Sequence, residues 1–243
     1  MQVPDQVVPA PGSIAAILPA AGSGQRFGAA SNKLFAELAG KPLWFHAASR
    51  LANSEAVGRV VLVVSQVDQD VFRSSYAAMV EQLGVELVLG GSERTDSVQA
   101  GLEHLAGDAT VRWVAIHDAA RPLIRASDMT AVFSAVQRTG AAILATPVPG
   151  TVKRGKLDHG GSRTVDRREL WLALTPQVFR IGLLKQAYDK HNGRPATDDA
   201  QLVERMGHEV TLVQGSADNL KITYPEDLSV AEAILATQIQ QSK

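Results

Sequence analysis

Short apolar runs alternate along the chain with stretches whose apolar positions recur every three or four residues. Five runs, at 14–19, 59–65, 85–89, 113–117 and 141–146, read as strands. The second contains Val60-Val61-Leu62-Val63-Val64, apolar at every position rather than at every other one, as in a strand covered on both faces. Between the runs, Val98, Leu102 and Leu105 fall at i, i+4 and i+7. Val132, Phe133 and Val136 form a second helical stripe, starting near Asp128 and stopped by Gly140. A last helix opens at Pro225, a residue suited to the first helical position, and turns Leu228, Ala231, Ile234 and Leu235 inward. Strands alternating with helices predict an α/β fold, a mostly parallel twisted sheet with helices on both faces. One domain over 13–243 is expected, preceded by a flexible tail at 1–12.

From Pro147 to Val165 the helical rhythm stops, and the chain reads PVPGTVKRGKLDHGGSRTV. Residues 151–154 and 163–165 flank a Gly-Gly turn, which predicts a protruding two-stranded β-arm within about 147–170. An isolated hairpin is marginally stable in water, so the arm is expected to pack on a second subunit and make a homodimer; a plain surface loop is the other reading. Lys and Arg number 24 against 25 Asp and Glu, so no broad field exists for gripping nucleic acid or an anionic membrane. Any anionic ligand must be held by a few locally placed cations. With no Cys in the 243 residues, disulfides, Cys-ligated zinc, iron–sulfur clusters and thiol nucleophiles are excluded. No run is long and apolar enough to span a membrane, and the first basic residue is Arg26, unlike a signal peptide, so the chain reads as cytoplasmic.

In open parallel sheets, ligands bind at the carboxyl ends of strands, which directs attention to the loops after each run. After the first comes PAAGSGQRFG. Its glycines let backbone N–H groups approach phosphate oxygens, and Arg26 and Lys33 add positive charge, pointing to a nucleoside triphosphate. It is neither a dinucleotide fingerprint, which needs Gly where Phe27 stands, nor a Walker loop. After the third run, GGSERTDSV offers hydroxyls and amides for a base edge or ribose, or equally helix capping by Thr95 or Asp96. HDAARP follows the fourth. Asp118 could hold Mg²⁺ and Arg121 could grip a phosphate two-pronged, or the two could form a surface pair. His117 reads as a packed or hydrogen-bonded histidine rather than a base. Before the last helix, GSADNLKIT adds Asp218 and Lys221, and alone reads as a polar turn entering a strand.

Together, PAAGSGQRFG…NK, GGSERTDSV, HDAARP, TVKR, TVDR, ALTPQ and ADNLKIT occur in an order and spacing that resembles the 2-C-methyl-D-erythritol 4-phosphate cytidylyltransferase family. These are CTP-using enzymes of the non-mevalonate isoprenoid route, and the resemblance covers roughly 14–238. It implies a Rossmann-like nucleotidyltransferase fold, with Ala20, Ala21, Gly22, Gly24, Gly91 and Ser97 around the nucleotide. Arg26, Lys33 and Lys221 would be the catalytic cations on the triphosphate, and Asp118 would serve both substrate and metal. Thr151 and Arg167 would reach from the partner's arm onto the methylerythritol phosphate, beside Arg121 and Thr175. Asp218 would be a second metal ligand, by analogy with related nucleotidyltransferases. The implied reaction is in-line attack by a substrate phosphate on the CTP α-phosphorus with Mg²⁺ present, giving pyrophosphate. A phosphate monoester carries about −1.5 to −2 charges at pH 7, so the nucleophile needs no general base. The alternatives are the same transfer to ribitol 5-phosphate and, from another class, a nucleotide-binding protein without turnover.

Overall fold

All five apolar runs form strands of one seven-stranded sheet in the computed structural model, which describes residues 8–22, 27, 32–155 and 160–241. In chain order the elements begin with β1 (Ile14–Pro19), the small ribbon β2 (Glu37–Leu38) and β3 (Lys41–Pro42), α1 (Leu43–Ala52) and β4 (Val57–Val64). Then come α2 (Gln66–Ser74), α3 (Ala77–Leu83), β5 (Val85–Leu89), α4 (Arg94–His104), β6 (Trp113–Ile116), α5 (Ala126–Thr139) and β7 (Ala141–Pro147). The arm follows as β8 (Val152–Arg154) and β9 (Arg163–Val165), and the chain ends with β10 (Trp171–Arg180), α6 (Ile181–Asp189), α7 (Asp199–Glu204), β11 (Thr211–Gln214) and α8 (Asp227–Gln241). The strand order is β11-β7-β10-β6-β1-β4-β5, parallel throughout except for β10, which runs antiparallel to β6 and β7.

Alternate side chains of the central strands enter two separate cores, because successive residues of a strand point to opposite faces. On one face Ala16, Leu18, Leu62 and Val64 pack with Trp44 and Leu51 of α1, Phe72 of α2 and Val132, Phe133 and Val136 of α5. On the other, Ala15, Ile17, Val61 and Val63 meet Val98 and Leu102 of α4, Leu184 of α6 and Val203 of α7. Cover on both faces accounts for the unbroken apolar run in β4. A third cluster seats Ala231 and Leu235 of α8 against Leu38, Leu43, Leu123 and Ile222. Helix α5 ends where expected: Gly140 takes a left-handed conformation (φ +82°) and its N–H returns to the Val136 carbonyl at 2.8 Å. Helix α8 opens two residues beyond Pro225, at Asp227, whose carboxylate accepts the N–H groups of Thr223 (2.7 Å) and Tyr224 (2.9 Å).

Two strands of the seven-stranded sheet were not expected. Pro176 argues against a central strand in 171–180, since it lacks the N–H a ladder requires. The sheet accommodates it by an irregularity between Ala173 and Gln177, where pairing with β7 lapses and then resumes. β11 is a four-residue edge strand, half-buried and exposed in turn and too short to give a clear period. At the start, residues 1–7 of the expected tail lie outside the described residues. Pro9 is buried, and Gly12 donates to the Glu55 carbonyl at 2.9 Å, so the chain already lies on the body before β1. No helix among the described residues is long and apolar enough to cross a membrane.

Helix α4 approaches β1 closely because residue 101 has no side chain. A Cβ there would lie 2.8 Å from Cγ2 of Ile17, itself fully buried and stiff at its branched carbon. Gly101→Val is therefore expected to lower stability by about 1–3 kcal/mol, measured by denaturant unfolding. A wild-type midpoint and slope would contradict this account of how α4 is set.

Candidate active site

The loops that leave β1, β5 and β6 at their carboxyl ends surround a cavity of about 410 Å³. Ala20, Ala21 and Gly22 contribute one wall, Gly91, Arg94 and Ser97 another, and Asp118, Ala119 and Ala120 a third. Lys33 and Lys221 complete it from more distant parts of the chain. Each loop is fixed by local chemistry. Asn32 caps the short 3-10 turn at Lys33–Phe35 by accepting the Leu34 N–H at 3.0 Å, while its amide donates to the Ala20 carbonyl (3.3 Å) and to Asp68 (2.9 Å). The turn aims Lys33 at the cavity, where its ammonium donates to the Ile222 carbonyl at 3.0 Å.

The second loop closes with a capping box: Glu93 and Asp96 exchange side-chain-to-backbone bonds at the start of α4. Gly91 is needed there, because a Cβ would stand 2.4 Å from Cβ of Asp96. Capping by Asp96 and a cavity wall from Gly91 and Ser97 thus hold together; they are not rival accounts. In the third loop, the Asp118 N–H donates to the Thr175 hydroxyl oxygen at 3.1 Å, and that hydroxyl pairs with His117 Nδ1 at 3.0 Å. His117 Nε2 faces the Arg121 carbonyl at 3.0 Å, which can only accept, so the proton sits on Nε2 and Nδ1 accepts from Thr175.

Three cations converge on Asp118. Lys221 Nζ lies 2.9 Å and Arg121 Nε 3.3 Å from Oδ2, and Arg94 Nε lies 3.6 Å from Oδ1. Burial opposes ionisation of this nearly buried carboxyl, but Lys221, Arg94 and Arg121 together outweigh it and hold it well below the usual carboxylate range. The segment carrying Lys221 is stitched to the third loop by Arg121 Nη1 to the Asn219 carbonyl (2.8 Å) and by Ile222 N–H to the Ala120 carbonyl (2.9 Å). Small residues on one wall and concentrated positive charge on the other suit a nucleotide carrying phosphates.

A model of the family described as IspD, 2-C-methyl-D-erythritol 4-phosphate cytidylyltransferase, matches residues 14–237. The chain belongs to that family. A protein of this name from Rhodopirellula baltica is 56% identical over 232 residues, which cover 92% of this chain and 95% of that protein. One from Chromobacterium violaceum is 44% identical over 224 residues, 92% of this chain and 98% of that one. The crystal structure of the enzyme of the same name from Thermus thermophilus matches with a TM-score of 0.72 at 32% identity, covering 90% of this chain and 98% of that chain. The family is one of nucleotidyltransferases, and the open, mostly parallel sheet is its fold.

Of the residues singled out in the sequence, Ala20, Ala21, Gly22, Gly91, Ser97, Lys33, Asp118 and Lys221 share the one cavity. Gly24 and Arg26 lie outside the described residues. Arg121 and Thr175 stand behind the wall, with their polar atoms committed to Asp118, Asn219 and His117. Thr151 and Arg167 do not line the cavity of their own chain, and Arg167 is exposed with its guanidinium on the carbonyls of Val148 and Pro149. Asp218 does not reach the cavity either, because Arg125 holds its carboxylate through Nε (3.1 Å) and Nη2. The segment around it forms no strand. Among the cavity-lining residues not singled out in the sequence are Glu93, Arg94 and Thr223, and Asn32 fixes the first loop from behind through polar neighbours up to 36 positions away.

No group of three or more metal-ligating side chains occurs among the described residues. Asp118 nevertheless fits a Mg²⁺ brought in with phosphates, since such an ion needs one or two carboxylates and takes its other oxygens from phosphate and water. His117 does not fit a base, being fully buried with both ring nitrogens engaged. Burial pushes its imidazole down to about 4. The unfolded chain therefore takes up this proton near pH 6.5 and the folded chain only near 4, so stability present above 6.5 drains away as pH falls through that window, by up to about 3 kcal/mol. Asp118 acts in the same direction at lower pH, where its depressed carboxyl is protonated in the unfolded chain first. Denaturant unfolding across pH 7 to 4 should show the first loss in the wild type and a shallower one in His117→Gln; parallel curves would contradict it.

Proposed function

We propose that the chain transfers CMP from CTP to 2-C-methyl-D-erythritol 4-phosphate, giving 4-diphosphocytidyl-2-C-methyl-D-erythritol and pyrophosphate, in the cytoplasm. One observation carries the reading: in a chain of this family, Arg94 and Lys221 meet on Asp118 at the carboxyl ends of parallel strands, in a cavity that Lys33 also lines. Cytosine and ribose lie against Ala20, Ala21, Gly22, Gly91 and Ser97, whose small side chains let a flat base approach the backbone. A phosphate oxygen of the polyol substrate attacks the α-phosphorus in line. The new P–O bond forms as the bond to the β-phosphate oxygen breaks, and pyrophosphate leaves with the electron pair.

The difficulty is repulsion between two anions, and the chain answers it with Lys33, Lys221 and Arg26, with Asp118 setting the position of Lys221. At an effective dielectric of ~20, a close opposite pair is worth about 4 kcal/mol, so a few such contacts change the encounter from repulsive to favourable. Asp118 would be the protein ligand of a Mg²⁺ ion brought in with the phosphates, which would supply positive charge against theirs. The rest is positioning and preorganised charge.

The arm completes the site in a homodimer. Trp171 and Leu172, at the start of β10, are 38% and 50% exposed beside the β8–β9 hairpin, an apolar base suited to a second copy. Across such an interface, Thr151 and Arg167 come to the substrate phosphate in the partner's cavity, whose wall Arg121 and Thr175 support from behind. No nucleic acid or membrane takes part.

Pyrophosphate release from CTP and Mg²⁺, assayed with methylerythritol phosphate and with ribitol 5-phosphate, tests the reading directly; the former is expected to be the far better substrate, and no turnover with it sinks the proposal. Lys33→Ala should lower kcat by about 10²–10³, the scale for losing one preorganised charge contact, and near-normal turnover removes Lys33 from the triphosphate. Arg167→Ala should raise KM for the polyol phosphate more than for CTP. Mixed dimers of Arg167→Ala and Lys33→Ala should regain part of the activity, since one of the two sites is then intact. Complete absence of recovery speaks against a shared site.

A further inference from the structure

A buried ionic chain runs from the cavity into the helical layer behind it. Asp199, the first residue of α7, has a fully buried side chain. Its Oδ2 accepts from Arg94 Nη2 at 2.7 Å and its Oδ1 from the Tyr188 hydroxyl of α6 at 2.6 Å. The N–H groups of Asp199 and Ala200 donate to Gln177 Oε1 at 3.1 and 3.0 Å, and Gln177 Nε2 donates to Asp198 at 2.8 Å, which clamps the start of α7 to β10. Taking a carboxylate out of water is unfavourable, and an apolar pair in the same space is often at least as stable. The arrangement therefore points to a purpose other than stability, and the other end of Arg94 supplies one. Arg94 lines the cavity, with Nε 3.6 Å from Asp118, so its planar fork spans two carboxylates, one inside the protein and one at the site.

We propose that Arg94 is a further substrate-contacting residue of the transfer site, presented beside Asp118 to the incoming phosphate groups, and that Asp199 and Tyr188 are positioning residues that hold its guanidinium there. The inference rests on the transfer reading above. Burial opposes the charge on Arg94, and Asp199 with Asp118 outweighs that effect, so the guanidinium stays charged. Burial first, then Asp199, pushes the Tyr188 phenol up, so it remains a protonated donor. Because Asp199 cancels the charge of Arg94 at a distance, Arg94 adds little long-range attraction for substrates. It contributes fixed donors at short range, which act where charge develops in the transition state. Loss of its support should therefore appear in kcat rather than in KM.

The test measures kcat and KM for CTP and methylerythritol phosphate in the wild type, Tyr188→Phe, Asp199→Asn, Arg94→Gln and the double variant Arg94→Gln/Asp199→Asn. Asp199→Asn should lower kcat about 10–100-fold and Tyr188→Phe, which keeps the buried ring, about 3–10-fold, each with KM within about threefold. The double variant should be no slower than Arg94→Gln alone, because Asp199 acts through Arg94. Unchanged kcat in Tyr188→Phe and Asp199→Asn, or losses that multiply in the double variant, overturn the inference. If the wild type itself releases no pyrophosphate from this substrate pair, the transfer reading falls and the inference with it; if it turns over normally while the variants match it, only the inference falls.

Discussion

A single carboxylate with three cations around it organises the site. Asp118 receives Lys221, Arg121 and Arg94 from separate parts of the sequence, and these side chains would repel one another without it. Its position is set from behind by a backbone bond to Thr175 and by a neutral histidine that ties the loop to itself. Asp199 offsets Arg94 and Glu93 lines the cavity with Asp118, yet Lys33, Lys221 and Arg121 still leave a local positive excess there, which is the condition for admitting phosphates. The chain as a whole has almost no net charge, so this local excess, not a general field, has to do the attracting.

The fold serves that geometry by fixing where the loops begin. β1, β4 and β6 are apolar on both faces and covered by helices, so their carboxyl ends form a rigid rim. Helix α4 sits close to β1 at Gly101 and delivers Arg94 and Ser97 to one side of the rim. Ile222, seated in the small cluster with α8, joins the last loop to the third one and accepts Lys33 through its carbonyl. Packing far from the cavity thus sets the distances within it.

Much of this was legible in the sequence, where the physics is local. Continuous apolar runs located the central strands, Gly140 marked the end of α5, and the strand-end loops carried Lys33, Asp118 and Lys221, which share one cavity. What escaped was settled by contacts between distant residues. β10 was hidden by Pro176, which the sheet tolerates through an irregular pairing. Asp218 looked like a metal ligand beside Lys221, yet Arg125, 93 positions away, holds its carboxylate. Arg94 drew no attention in the GGSERTDSV segment, because the carboxylate that holds it, Asp199, comes 105 positions later.

The central claim, that the charge of Asp118 holds the cations in working order, is tested most directly by the turnover number of Asp118→Asn with CTP, Mg²⁺ and methylerythritol phosphate. Asparagine keeps the shape and removes the charge. The account predicts a fall in kcat of about 100-fold or more in a protein that still unfolds cooperatively. A folded variant that turns over at close to the wild-type rate would contradict it.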